Sequence, residues 1–155
     1  MTDDAERHGE LPMLALEGFL PYRLNRLADI VSREFQKIYK QRHGLTRPEW
    51  RALATLGQFG TMTATAIGEH SSMHKTKVSR AVAELERRKW LERSVDTEDR
   101  RVEHLRLTRT GETIYRELVP IARGFETDIL DKMSDADRMA VSKGLAALER
   151  RLLRD

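Results

Sequence analysis

A three-residue break between two helical patterns most restricts how this chain can fold. Thr63 can cap a short helix that runs to His70, because its hydroxyl can accept a hydrogen bond from a first-turn amide. The segment Ser71–Met73 interrupts the pattern, and from His74 apolar residues recur at helical spacing. These apolar residues are Val78, Val82 and Leu85. The sequence therefore predicts a helix, a tight turn and a second helix whose apolar side faces inward.

The other side of the second predicted helix is basic. It carries Lys75, Thr76, Lys77, Ser79 and Arg80. No Asp or Glu occurs from position 71 to position 83, although acids make up 25 of the 155 residues. A helix that follows a short turn and presents such side chains from its N-terminal half is typical of one that enters the major groove of DNA. The alternative is a solvated basic face on an ordinary surface helix.

Two short apolar runs after this helix predict a β-hairpin. They are Leu91–Val95 and Val102–Leu107, and a charged segment connects them. A two-stranded ribbon beside a helix-turn-helix is a wing, and cationic side chains at its tip can enter the narrow, electronegative minor groove. Arg100 and Arg101 are the candidates for this contact. Asp99 could orient one of them through a carboxylate–guanidinium pair.

These segments resemble the MarR (multiple antibiotic resistance regulator) family. Asp99, Arg100 and Arg101, followed by L-R-L-T at 105–108 and by Gly111, look like the D-R-R…L-x-L-T-x-x-G signature of that family. The residues that resemble its recognition helix are Met73, Lys75, Val78, Ser79, Arg80 and Ala81. The resemblance implies a mainly α fold with a small β-hairpin wing, in which a winged helix-turn-helix is joined to a helical dimerisation region.

Two residues depart from the family pattern. Lys89 stands where the family usually has Gly, and a left-handed helix end there would cost Lys on the order of 1 kcal/mol, unless the helix ends differently. His74 stands where the family usually has an acidic or small residue, which leaves the operator sequence open. The resemblance nevertheless covers the chain from about Leu20 to its C-terminus.

The resemblance divides the chain into three regions. We expect an N-terminal arm and first dimerisation helix at 1–45, a DNA-binding region at 46–110 and C-terminal dimerisation helices at 111–155. A homodimer would place two copies of the recognition helix on a two-fold axis, and would read a pseudo-palindromic operator in double-stranded DNA.

Apolar spacing predicts the helices outside the basic segment. A long first helix runs from about Leu20 to His43 and is stopped by Gly44. After position 108, one long helix contains Pro120 and a last helix begins at Ser134. These long apolar stripes are typical of helices that pair with a second subunit.

The second helix has its own start and stop signals. Thr46 and Glu49 have the spacing of a capping box. The apolar pattern continues to about Leu56, and Gly57 and Gly60 are expected to bracket the following loop.

The composition limits the kinds of chemistry. The chain has no cysteine, which excludes disulfides, thiol redox sensing and thiolate zinc sites. No apolar stretch approaches the roughly 18 residues that span a bilayer, so we expect a cytoplasmic protein without membrane contact. No phosphate-binding loop or catalytic motif occurs, and the turn separates His70 from His74. We therefore expect no enzyme activity, no metal site and no cofactor.

The family resemblance also implies a small-molecule effector, often an aromatic carboxylate, between the dimerisation helices and the DNA-binding region. The residues expected to line this site are Arg23, Ile30, Trp50, Tyr115 and Leu118. An arginine beside an aromatic wall suits an aromatic acid. The alternative is that Trp50 belongs to the core and Arg23 is solvated.

Two stretches, LPYRLNRLAD at 20–29 and LTRPEWRALATLG at 45–57, resemble a subgroup that controls the degradation of hydroxycinnamates and other aromatic acids. This likeness implies a repressor of aromatic catabolism that an aromatic acid or its CoA thioester releases from DNA. The alternative is a ligand-independent architectural or protein-binding regulator. The salt dependence of DNA binding distinguishes the two, because contacts to phosphates release counterions.

Overall fold

The computed structural model describes residues 12–153, which form helices and one β-hairpin. The elements, after a short 3-10 helix at Leu16–Gly18, are α1 (Leu20–His43), α2 (Arg47–Phe59), α3 (Ala64–Ser71), α4 (Lys75–Arg87), β1 (Leu91–Val95), β2 (Glu103–Leu107), α5 (Arg109–Leu130) and α6 (Asp135–Leu152). This confirms the mainly α fold with a hairpin. Residues 1–11 of the predicted arm, with His8, lie outside the described residues, and the three-region division stays a prediction.

Local signals set several of these boundaries. Gly44 ends α1 with φ of 64°, a left-handed conformation that Gly adopts without strain. At the start of α2, the Thr46 amide donates to the Glu49 carboxylate at 2.9 Å and the Glu49 amide donates to the Thr46 hydroxyl at 3.4 Å. The Thr63 hydroxyl accepts from the Ala66 amide at the start of α3. The predicted caps are thus confirmed.

The predicted end of α2 was wrong. The helix continues through Gly57 and ends at Phe59. A β-carbon on Gly57 would lie 2.5 Å from ring atoms of Tyr115 on α5. The Gly is therefore needed because α5 places a ring against α2 at this point, and it does not break the helix.

The winged unit, residues 45–107, has a core of its own. The strands pair antiparallel with Leu91 opposite Leu107, and Met62 forms an additional bridge to Leu105. The largest fully buried aliphatic residues of the unit are Leu45, Leu53, Leu56, Ile67, Val78, Val82, Leu85 and Leu105. Burial of each such side chain contributes about 1.5–3 kcal/mol. Tyr39 of α1 and Leu118 of α5 complete this core.

The outer helices differ from this unit. No residue of α6 is buried, and α6 makes only sparse contacts with the rest of the chain. Large apolar side chains are exposed on α1 and α6, and we call this set the outer face. Its members are Leu20, Leu27, Ile30, Val31, Met139, Val141, Leu145 and Leu152. No helix in 12–153 is long and apolar enough to cross a membrane.

Candidate nucleic-acid interface

Helix α4 presents its basic side to solvent. Its buried side consists of Val78, Ala81, Val82 and Leu85, which pack into the core of the winged unit. The five α4 residues that the sequence predicts to contact DNA are all exposed. They are Lys75, Thr76, Lys77, Ser79 and Arg80. Because successive residues of an α-helix are rotated by about 100° around its axis, α4 has a packing side and a separate side available to a ligand.

Most other cations of the winged unit are neutralised by carboxylates. The pairs at 2.6–2.8 Å are Arg87–Glu84, Arg88–Glu84, Arg93–Glu103 and Arg106–Glu92. The two arginines beside Glu84 lower the pKa of its carboxyl to about 2. By contrast, Lys75, Lys77 and Arg80 have no ion pair with any described residue. Positive charge therefore remains uncompensated at the N-terminal half of α4.

The first turn of α4 also lacks a side-chain cap. The N-cap residue is His74, whose side chain makes no capping hydrogen bond. Helices α2, α3 and α5 are instead capped by Thr46, Thr63 and Thr108. The first amides of α4 consequently keep unused donors at the positive end of the helix dipole, where a phosphate binds favourably.

The tip of the wing is organised by Asp96. One carboxylate oxygen accepts the amides of Glu98 and Asp99, at 2.8 and 3.0 Å. The other lies 2.8 Å from Nε2 of His104 on β2. These hydrogen bonds, that of His104 above all, lower the pKa of Asp96 to about 2. The turn therefore has a defined shape although it is exposed.

The two arginines of the tip differ in their partners. Arg101 donates through Nε and Nη2 to the two carboxylate oxygens of Asp99, both at 3.1 Å, which is the pair expected from the sequence. Its side chain is still 91% exposed. Arg100 is exposed and has no ion pair within the described residues. Arg101 is thus oriented, and Arg100 is free to reach a ligand.

The end of α4 is left-handed despite the missing glycine. Lys89 has φ of 62°. Its amide donates to the carbonyl of Glu86, and the amide of Trp90 donates to the carbonyl of Leu85, both at 2.9 Å. This pair of hydrogen bonds is a Schellman motif. The Thr108 hydroxyl donates to the Lys89 carbonyl at 2.7 Å, which helps to hold this conformation.

The T-x-x-G part of the sequence signature has a structural role. Thr108 caps α5 by accepting the amide of Gly111 at 3.1 Å. A β-carbon on Gly111 would lie only 2.0 Å from the carbonyl oxygen of Trp90. These residues therefore fix the start of α5 against the end of α4.

The predicted effector residues do not line one cavity of this chain. Arg23 and Ile30 share an open cleft of about 340 Å³ on α1. Trp50 packs against the rings of Phe35 and Tyr39, with centroids 5.2 and 5.5 Å apart. Trp50 therefore packs with aromatic residues of the core, as the alternative interpretation of this residue expects.

The remaining two effector candidates lie elsewhere. Tyr115 borders a groove between α2, β2 and α5, and Leu118 is completely buried in the core. The five residues thus do not share a cavity within one chain, because helical spacing alone did not indicate which side of α5 packs against α2, and the effector site stays a prediction. Residues 12–153 also contain no cluster of three or more potential metal ligands among His, Cys, Asp and Glu.

Sequence reasoning missed a basic cleft beside α4. Arg47 and Arg51 of α2 line it together with His74 and Lys77, and its volume is about 280 Å³. The spacing of four residues between the two arginines was the available signal, because it places both on one side of α2. That α2 turns this side toward α4 required the tertiary structure.

Comparison with known proteins agrees with this geometry. The family model described as MarR family matches residues 45–102. A MarR family transcriptional regulator from Silicibacter pomeroyi is 30% identical, with a TM-score of 0.73 over 88% of this chain and 98% of that one. The HTH-type transcriptional regulator YwoH of Bacillus subtilis is 27% identical over 79% of this chain and 88% of its own.

A more distant structure shares the fold. It is that of BpsR from Bordetella bronchiseptica, whose DNA binding is regulated by 6-hydroxynicotinic acid; it is 22% identical, with a TM-score of 0.75 over 90% of this chain and 98% of its own. The sequence relationship to the Silicibacter regulator and the family match identify a family of transcriptional regulators. Members of this family are not enzymes. The chain belongs to the MarR family of DNA-binding transcriptional regulators.

Proposed function

We propose that this protein is a dimeric cytoplasmic repressor that a small aromatic carboxylate, or its CoA thioester, releases from DNA. The observation that carries the DNA-binding part is the uncompensated charge of Lys75, Lys77 and Arg80 on the exposed side of α4. The arginines at the end of α4 and on the two strands are paired with carboxylates, whereas these three cations lie unpaired on the helix that is expected to enter the major groove.

The wing supplies the second contact. With α4 in the major groove, Arg100 and Arg101 at the tip would enter the adjacent minor groove, where the negative potential attracts guanidinium groups. The Asp99 carboxylate keeps Arg101 in one orientation. We therefore assign sequence-specific contacts mainly to Thr76, Ser79 and Arg80, and less base-selective contacts to the wing.

The outer face supports a homodimer. Leu145 of α6 is 49% exposed and Leu27 of α1 is 58% exposed, although both belong to apolar stripes. A second copy of the chain would bury these side chains and would place two α4 helices on a two-fold axis. Such a dimer reads a pseudo-palindromic operator.

We assign the effector to the open cleft on α1. Arg23 and Arg26 supply two positive charges there against the single acid Glu17, and the remaining lining residues, Tyr22, Leu27 and Ile30, form an aromatic and apolar wall. These are the groups that an aromatic carboxylate requires, and the partner subunit would close the open side. The regulation of BpsR by an aromatic acid supports this class of ligand.

Control of aromatic catabolism is the biological role that we propose. It rests on the likeness of residues 20–29 and 45–57 to regulators of aromatic-acid degradation. A CoA thioester would also bring several phosphate charges, which would compete with DNA for the basic side of α4.

The test is fluorescence anisotropy of labelled DNA from upstream of the protein's own gene. We expect tight binding that weakens steeply with salt, and release by one class of aromatic acid or thioester. If binding is tight but no such compound reverses it, the proposed effector is wrong and the proposed DNA binding stands. A regulator that acts only by binding another protein would give no salt-dependent DNA binding.

A further inference from the structure

The basic cleft between α2 and α4 contains cations and no carboxylate. Its lining includes Arg47 and Arg51 from α2, and His74 and Lys77 from α4. Its volume of about 280 Å³ is enough for a phosphate group with part of its shell of water. The larger groove near Tyr115 is different, because Glu92 and Glu112 line it together with its arginines.

The charges of this cleft are poorly compensated within the protein. Arg47 reaches Asp29 of α1 only at 3.4 Å, and that carboxylate is shared with Arg33 at 3.1 Å. The half-buried Arg51 side chain has no hydrogen bond or ion pair with any described residue. Both arginines lie near the buried Tyr39 hydroxyl, where their charge opposes the rise in its pKa that burial causes. A half-buried arginine beside a phenol and without an acid lacks its usual anionic partner.

The cleft lies at one edge of α4, where a phosphate of the DNA backbone would reach it. Lys77 lies at the edge of α4 that faces α2, whereas Lys75 and Ser79 line a separate cleft at the edge that faces α3. Arg80 lies on the exposed side between these two edges. When a helix occupies the major groove, the DNA backbones pass along its two edges.

We propose that Arg47, Arg51 and Lys77 bind a phosphodiester group of the DNA backbone at the α2 edge of α4. This inference rests on the proposed DNA-binding function and adds two α2 residues to it. The planar guanidinium groups can each bind two phosphate oxygens, and Lys77 adds a point charge. The contact positions α4 in the groove and carries no base identity of its own.

The test compares the variant Arg51→Gln with the wild-type protein on operator DNA and on unrelated duplex DNA over a series of salt concentrations. We expect about a tenfold loss of affinity on both, because a phosphate contact is independent of sequence. The slope of log affinity against log salt should become shallower by about 1 to 2, since each of two subunits loses up to one phosphate contact. Arg116→Gln is the matched control, because it removes the same charge from an exposed site on α5.

A second variant keeps the test decisive if Arg51→Gln unfolds. Lys77 is exposed, so Lys77→Gln should leave the thermal unfolding midpoint unchanged while it weakens binding to both DNAs. The double variant should lose less affinity than the sum of the two single losses, because both side chains bind one phosphate.

Three results would overturn the proposal. If Arg51→Gln and Lys77→Gln keep the wild-type salt slope while Arg80→Ala loses operator affinity, the DNA-binding function stands and this phosphate site falls. If Arg51→Gln binds DNA normally but needs more CoA thioester for release, the cleft binds the phosphates of the ligand and not those of DNA. If the wild-type protein binds no DNA in a salt-dependent way, the proposed function fails first and the site with it.

Discussion

The winged unit and the outer helices use the same residue types in opposite ways. Leu53 in α2 is completely buried among residues of its own chain, whereas Leu145 in α6 is 49% exposed. The winged unit therefore contains the partners that its apolar residues need, and the outer helices do not. The stability of the DNA-binding part is therefore a property of one chain, and in the proposed dimer that of the outer helices would depend on the second chain.

Truncation of the core should have the largest effect. Leu53→Ala removes a fully buried side chain, so we expect the free energy of unfolding to fall by about 2–5 kcal/mol. Denaturant unfolding followed by circular dichroism measures this loss. It should not vary with protein concentration, and a loss below about 1 kcal/mol would mean that the core of the winged unit is not close-packed.

A charge on the outer face should act through the second chain. Leu145→Glu is expected to weaken dimerisation by at least about tenfold, because it would place a carboxylate in an apolar interface. Sedimentation at several concentrations measures the dissociation constant. Ser142→Glu, at an exposed polar position of the same helix, is the control. Unchanged dimerisation of the Leu145 variant would place the interface elsewhere.

Loss of an unpaired arginine should affect DNA binding more than loss of a paired one. Arg80→Ala should cost about 1–3 kcal/mol of operator binding and leave the dimer intact. Arg106→Ala serves as the comparison, since Glu92 already neutralises that guanidinium at 2.6 Å. Competition binding with operator and unrelated DNA measures both. Equal losses in the two variants would show that pairing does not determine which cations bind DNA.

The smallest effect is expected at the tip of the wing. Asp96→Ala removes the acceptor for two turn amides and the partner of His104, so we expect a few-fold loss of DNA affinity without global unfolding. The Asp96 pKa of about 2 lies below its ordinary value of 3.8, so ionisation of this group stabilises the fold above pH 3.8, and that contribution is lost as the pH falls through 2. Amide exchange of Glu98 and Asp99 measures the local order, and unchanged exchange in the variant would contradict the assigned role.

Short-range features of the fold were accessible from the sequence. The caps at Thr46 and Thr63, the stop at Gly44 and the strand Leu91–Val95 all depend on residues within one turn or one hairpin. The basic side of α4 was equally clear, because helical spacing alone separates it from the buried side. The family signature then identified the arrangement of these pieces.

Features that depend on two distant elements were not accessible. Gly57 was taken for a loop signal because the ring of Tyr115, which requires it, is 58 residues further along the chain. The five effector candidates were assigned to one site between the helices, although Leu118 is buried in the core and Arg23 lies on an open cleft. Arg51 was overlooked because its importance comes from the way α2 faces α4.

The tie between the end of α4 and the start of α5 limits how this regulator can be redesigned. Thr108 binds the Lys89 carbonyl, and Gly111 lies directly against that of Trp90, so a chimera joined anywhere between these residues would separate contacts that belong together. Exchange of only the exposed α4 residues at 75, 76, 79 and 80 leaves the tie intact. Grafting those four side chains from a relative is therefore the least disruptive route to a new operator preference.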